Sequence, residues 1–293
     1  MKVYVTFPGG KAKALTMSYD DGKIQDERLI SIFNQYGIKG TFNLNYGLMG
    51  DRDPANKPGS KAVPRITEDR IKEIYEGHEI ATHTMTHPTI ARCPLTTLAR
   101  EILEDREGLE RITDTIVRGH AYPNGSYNEE IKELFHQLGI AYARVVETNP
   151  VNVNGGMVES INSFGIPSDF MEWKATCHHN DPNLMQMAEM FANLNKKQYL
   201  KLMFVWGHSY EFDNNNNWKV IEEFCKYMGG RDDIWYATNI EIVDYLTAAK
   251  NLHFSSNGEA VYNPNAISVW LQLDGSRNIE IPAGTYVNYS SLQ

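Results

Sequence analysis

The chain has 293 residues, 42% hydrophobic and 22% charged, which is enough apolar material for one large core or two medium ones. Its net charge is −9, with no run of Lys or Arg, and this argues against nucleic acid and anionic membrane surfaces as partners. Lys2 to Phe7 alternates like a strand and is too short for a signal-peptide core, so the chain as written reads as soluble and cytoplasmic. An extracellular protein shorn of its leader would read the same. Ala12–Tyr19 follows as a buried strand, and Asp26–Tyr36 as a helix stopped by Gly37. Gly40–Asn45 is a second strand, and Thr67–Glu76 a helix opened by a capping-box-like Thr-Glu-Asp-Arg. His78–Thr82 is a strand, Pro94–Thr113 a long charged helix, Ile116–Ala121 a strand, Asn128–Leu138 a helix and Ala141–Val146 a strand.

The alternation continues with a Met-rich helix over Pro182–Leu194 and a buried strand over Leu200–Trp206. A helix at Trp218–Met228, a strand at Ile234–Ala237 and a helix at Ile240–Ala249 complete it. About seven strand–helix units predict an α/β fold, a distorted barrel of parallel strands wrapped by helices. Beyond Lys250 the helical period stops. Two short alternating runs, Ala266–Leu273 and Ile279–Ile281, flank Asp274-Gly275, a hairpin turn signal. Residues 1–250 are therefore expected to form the barrel and residues 251–293 a small β appendage, paired with the Lys2–Phe7 strand. No stretch approaches the apolar length of a membrane span. Cys93, Cys177 and Cys225 are far apart and include no CxxC pair, so no disulfide framework is expected.

Four clusters carry chemistry. Asp20-Asp21-Gly22 closes the first buried strand; it reads as a simple Asp-Gly turn, or as paired carboxylates at the strand ends where barrel enzymes keep their catalytic groups. His83 and His87 follow the third strand with i, i+4 spacing, which lets two imidazoles converge on one cation. With one carboxylate they make a three-ligand site that leaves room for water. His208 stands where another buried strand ends. His120-Ala121-Tyr122-Pro123-Asn124-Gly125 is a turn after a strand, able to point backbone N–H groups at an oxyanion. His178-His179 looks metal-like, but adjacent strand residues point to opposite faces and cannot readily share an ion. His78, His136 and His253 have no such context.

In this order, DDG, HTMTH, AYPNG and a strand ending in His resemble the polysaccharide deacetylases, the family 4 carbohydrate esterases. The similarity runs over roughly Ala12–Ala249. It implies a distorted (β/α)7 barrel and a hydrolase that removes acetyl groups from N-acetylated sugars. Asp20 then matches the catalytic base, and Asp21, His83 and His87 the ligands of a divalent metal, usually zinc, sometimes cobalt or nickel. His208 matches the general acid, and the Asn124 N–H the oxyanion donor. Trp173, Tyr122 and Tyr210 are the expected substrate contacts. The family's third motif often carries an Arg that orients the base, and Ala121 stands there instead. Ala143-Arg144 fits a subgroup arrangement in which Arg144 would supply that guanidinium. Small linear or cyclic amides and O-acetyl esters such as acetylated xylan are alternative substrates on this fold. A non-catalytic carbohydrate-binding protein would need a broken ligand set or a lost base, and neither is seen.

Overall fold

The computed structural model describes residues 2–54, 57, 60, 62–154 and 163–289. Its centre is a parallel sheet built from runs with no exposed face. Strand β2 (Lys13–Asp20) is buried along its whole length, as are β3 (Gly40–Leu44) and β9 (Lys201–Gly207). Strands covered on both faces read as continuous apolar runs, the signal that located these three. β1 is Val3–Thr6, and the remaining parallel strands are β4 (Glu79–Thr82), β5 (Gly119–Ala121), β6 (Tyr142–Thr148), β7 (Trp173–Ala175), β8 (Cys177–His178) and β10 (Ile234–Tyr236). Their order is β7-β6-β5-β4-β3-β2-β9-β8, with β10 also on β2.

The two ends of that order are one continuous segment. β7 pairs with β6, and β8, one residue later, pairs with β9. Between them the Thr176 N–H donates to Phe204 O at 2.7 Å, and Thr176 Oγ1 accepts the Phe204 N–H at 2.9 Å. Residues 173–178 therefore close the sheet into a seven-stave barrel. The distortion lies at β2, whose one edge is shared: Lys13–Leu15 pair with β10, and Met17–Asp20 with β3.

Helices wrap the staves. They are α1 (Asp26–Gln35), α2 (Ile71–Ile74), α3 (Leu95–Thr113), α4 (Glu129–Gln137), α5 (Leu184–Ala192), α6 (Tyr210–Asn214), α7 (Trp218–Met228) and α8 (Asn239–Lys250). The helix expected over Thr67–Glu76 shrinks to a 3-10 turn and a single α turn, and the Thr67 side chain makes no cap. The capping box that does form is Thr238–Glu241, at the start of α8. Among the described residues, no helix is long and apolar enough to cross a membrane.

After α8 the chain forms antiparallel strands. β13 (Val269–Leu273) and β14 (Arg277–Ile281) make the expected hairpin, and β1 pairs with β13 as anticipated. The turn residues Asp274 and Gly275 both have positive φ, 50° and 79°, as a tight primed turn requires. A second small sheet joins β11 (His253–Phe254), β12 (Ala260–Tyr262) and β15 (Tyr286–Asn288).

Candidate active site

Parallel staves present all their C-terminal ends on one face, so residues distant in sequence meet there. Asp20 is the last residue of β2, His83 follows β4, and His208 follows β9. Asp20 is 3% exposed and lies among them. Its Oδ1 accepts from Asn43 Nδ2 at 2.8 Å, and its Oδ2 pairs with the Arg144 guanidinium. The same Oδ2 lies 4.0 Å from His83 Nε2 and 3.9 Å from His208 Nε2. Burial alone would push this carboxyl up. Arg144, His83 and His208 together outweigh that and hold it at about 2.

Arg144 comes from the middle of β6, is fully buried, and its Cζ stacks 4.3 Å over the Trp206 ring. The guanidinium missing at Ala121 thus reaches Asp20 from the neighbouring stave.

Asp21, His83 and His87 form a second constellation, with one potential ligand atom from each within 4.8 Å of the others. His83 Nδ1 is 2.7 Å from the Ala121 carbonyl, to which it donates, leaving Nε2 as the lone-pair nitrogen facing inward. Burial also drives the ring down to about 4, against the pull of Asp20 and Asp21. Three of the residues around this group have left-handed backbone without being glycine: Asp21 (φ 80°), Thr84 (φ 67°) and His87 (φ 58°). Such conformations cost about 1–3 kcal/mol each and persist only where surrounding contacts enforce them. Those contacts are visible. The Asp21 N–H donates to Asn43 O at 3.0 Å, and the His87 N–H to Thr84 Oγ1 at 3.0 Å. Asn45 Nδ2 donates to the carbonyls of both His83 and Thr84. From α3, the buried Asp105 accepts from Thr82 Oγ1 and from the Tyr46 N–H. The donor set suits a divalent cation: one carboxylate and two imidazoles, one of them fixed in the ligating tautomer.

Glu211, in the first turn of α6, was not read from the sequence. Its Oε1 is 3.0 Å from His208 Nδ1, and its Oε2 accepts from Asn180 Nδ2 at 2.9 Å. Oε2 also lies 3.3 Å from His178 Nε2 and 3.1 Å from His179 Nε2. This corrects the expectation that adjacent histidines must diverge. β8 ends at His178, so His179 lies past the strand and outside its alternation. The His179 ring crosses the end of β9, where a Cβ on Gly207 would fall 1.9 Å from Nδ1, so this position must be glycine. His178, His208 and Glu211 also lie close enough to hold a cation. However, the Asn180 N–H donates to His178 Nδ1 at 3.2 Å, which puts the ring proton on Nε2, the atom facing Glu211. The group is therefore a hydrogen-bonded cradle around Glu211. Burial would lower the His208 pKa, but Glu211 first, and then Asp20 and Asp21, raise it above the ordinary value.

The expected substrate contacts divide. Tyr210 is half-buried, with its ring centroid 5.3 Å from that of His208, at the site. Trp173 is not at the site. It is 1% exposed and packed in the core against Tyr142, Phe170 and Phe204. Tyr122 is also 1% exposed, stacked between Tyr127 and Phe135, with its hydroxyl donating to Met171 O. Burying a large apolar side chain contributes about 1.5–3 kcal/mol, and this is the use the fold makes of both rings. Asn124 is exposed at the turn after β5, with left-handed φ of 55°.

A sequence profile described as polysaccharide deacetylase matches residues 8–143. Those residues, a little under half of the chain, are similar to that family. The matched stretch carries Asp20, Asp21, His83, His87 and Asn124 and stops one residue short of Arg144. The chitooligosaccharide deacetylase of Rhizobium leguminosarum bv. trifolii is 34% identical over 126 residues, 42% of this chain and 52% of that protein. The chitooligosaccharide deacetylase of Sinorhizobium fredii is 22% identical over 136 residues, 45% of this chain and 57% of that one. The chain thus spans about half the length of these curated relatives. A solved structure from Mycobacterium smegmatis, titled a polysaccharide deacetylase, superposes with a TM-score of 0.57 at 17% identity, over 84% of this chain and 94% of that one. The likeness in fold therefore extends over most of the chain, beyond the residues that the profile matches.

Proposed function

We propose that this chain is a metal-dependent deacetylase that hydrolyses the acetamide of an N-acetylated sugar and releases acetate. One observation carries the reading: a buried, ionised Asp20 stands about 4 Å from both His83 Nε2, in the candidate cation group, and His208 Nε2. Asp21, His83 and His87 would hold the ion, zinc on the family's pattern with cobalt or nickel as alternatives. When bound, it supplies Lewis acidity toward the acyl oxygen and acidifies water. Asp20 accepts the proton of the attacking water, and Arg144 and Asn43 keep its two oxygens aimed. The Asn124 N–H stabilises the oxyanion. His208, held by Glu211 with its proton on Nδ1, carries a second proton on Nε2 and donates it to the departing amine.

The test is acetate release from N-acetylglucosamine oligomers. Activity is expected to disappear in chelator-stripped protein and to return with zinc; undiminished release from protein shown to be metal-free would sink the proposal. Because Glu211 raises the His208 pKa, Glu211→Gln should lower it. The alkaline limb of the kcat/KM profile then moves to lower pH. An unmoved limb would remove Glu211 from this role.

A second reading, hydrolysis of a small linear or cyclic amide, is favoured by the loss of Trp173 and Tyr122 from the site, two of the three aromatics expected to hold a sugar. A panel setting oligosaccharides against small amides separates the two.

A further inference from the structure

The candidate cation group is braced from outside by residues beyond the four sequence clusters. Residues 64–66 lie against the turn that follows β2. The Ile66 N–H donates to Gly22 O at 2.9 Å and the Ile24 N–H to Pro64 O at 3.1 Å. These bonds bring Arg65 to two carboxylates. Its Nε donates to the Asp21 carbonyl at 2.9 Å, and one terminal nitrogen lies 3.5 Å from Asp21 Oδ1. The other terminal nitrogen donates to Asp53 Oδ2 at 3.1 Å, and Asp53 is 2% exposed.

We propose that Arg65 is a positioning residue for the cation site, fixing both the backbone and the carboxylate of Asp21 in the ligating orientation while Asp53 offsets its charge. The inference rests on reading Asp21, His83 and His87 as ligands. Asp21 sits at φ 80°, and its N–H is tied to Asn43 O. Arg65 ties the carbonyl, so both peptide groups of a strained residue are held. A planar guanidinium grips carbonyl and carboxylate together, which one ammonium cannot do. A lone cation so near a ligand would repel a divalent ion; Asp53, which also lies 4.0 Å from Lys23 Nζ, offsets part of that charge, so the aiming survives and the repulsion is reduced.

The zinc affinity of the full chain, measured by competition with a chelating dye, is expected to fall about ten- to a hundredfold in Arg65→Gln, the usual effect of losing an outer-shell partner. Arg65→Gln also leaves Asp53 buried without its guanidinium. Stability is therefore compared in Arg65→Gln/Asp53→Asn, whose metal-free form should melt near the wild-type temperature. It should show the same affinity loss and recover acetate release as free zinc is raised. If Arg65→Gln does not fold, Arg65→Lys carries the same test, because it retains the charge and loses the fork. Zinc bound as tightly as in wild type, or an affinity loss that the double variant shows only together with a lower melting temperature of its metal-free form, overturns the proposal. No zinc uptake by the wild-type chain overturns the ligand reading itself, and this inference with it.

Discussion

Asp20→Asn lowers turnover by about a hundredfold or more, the usual scale for loss of a general base, and leaves the metal content unchanged. The expected separation of the two readouts follows from the site's geometry. Asp20 and Asp21 are neighbours in sequence, but Asp20 is directed at Asn43, Arg144, His83 and His208, whereas Asp21 belongs to the candidate cation group. Asparagine keeps the shape and one accepting oxygen, so what is lost is the site for a proton. Metal analysis and acetate release on the same sample decide the matter. A variant with full turnover refutes Asp20 as base, and one that has lost its metal shows that the two aspartates do not divide the work.

Arg144→Ala is expected to destabilise the fold by about 3–5 kcal/mol, because it leaves a carboxylate buried without its partner. Arg144 is fully buried, Asp20 nearly so, and the remaining hydrogen bond from Asn43 is made to the other oxygen. Turnover should fall as well, with metal content held, since Asp20 is no longer aimed and its proton affinity rises. Denaturant midpoints measure the first effect. The double variant Asp20→Asn/Arg144→Met, which buries no charge at this spot, should recover part of the stability. A single variant within about 1 kcal/mol of wild type would show that the pair contributes little.

Both experiments test residues named from the sequence: Asp20 ends a buried strand, a local signal, whereas Arg144, in mid-strand, came only from the family resemblance. Trp218–Met228 was read to the residue from a local signal too, its apolar stripe being continuous. Glu211 was not legible: it sits three residues past His208 in a five-residue helix, and its importance depends on where residues 178–180 arrive. The stave at residues 173–178 escaped because it is five paired residues split between two neighbours, with no alternation to read. Trp173 and Tyr122 were misplaced for the opposite reason. An aromatic beside a catalytic motif looks the same in sequence whether it faces substrate or core, and only packing decides. The division of the chain at residue 250 remains our proposal, although the antiparallel strands do begin just after α8.

The stave at residues 173–178 links two properties usually treated apart. The same short segment that closes the barrel ends in His178 and His179, beside the carboxylate that holds His208. Its own pairings span only 28 and 29 residues, Cys177 with Val205 and Arg144 with Trp173, whereas β2 and β9 are joined across 188, Lys13 with Lys201. Loop-closure entropy therefore makes the β2–β9 seam the late event in folding. A chain that has paired β2 to β6 but not yet closed β2 on β9 could already assemble Asp20, Asp21, His83 and His87, yet would hold His208, and the stave that walls it, apart from Asp20. On the proposed function, maturation of the proton donor is thus coupled to the final closure of the fold, and a partly folded molecule has its cation ligands in place before its acid.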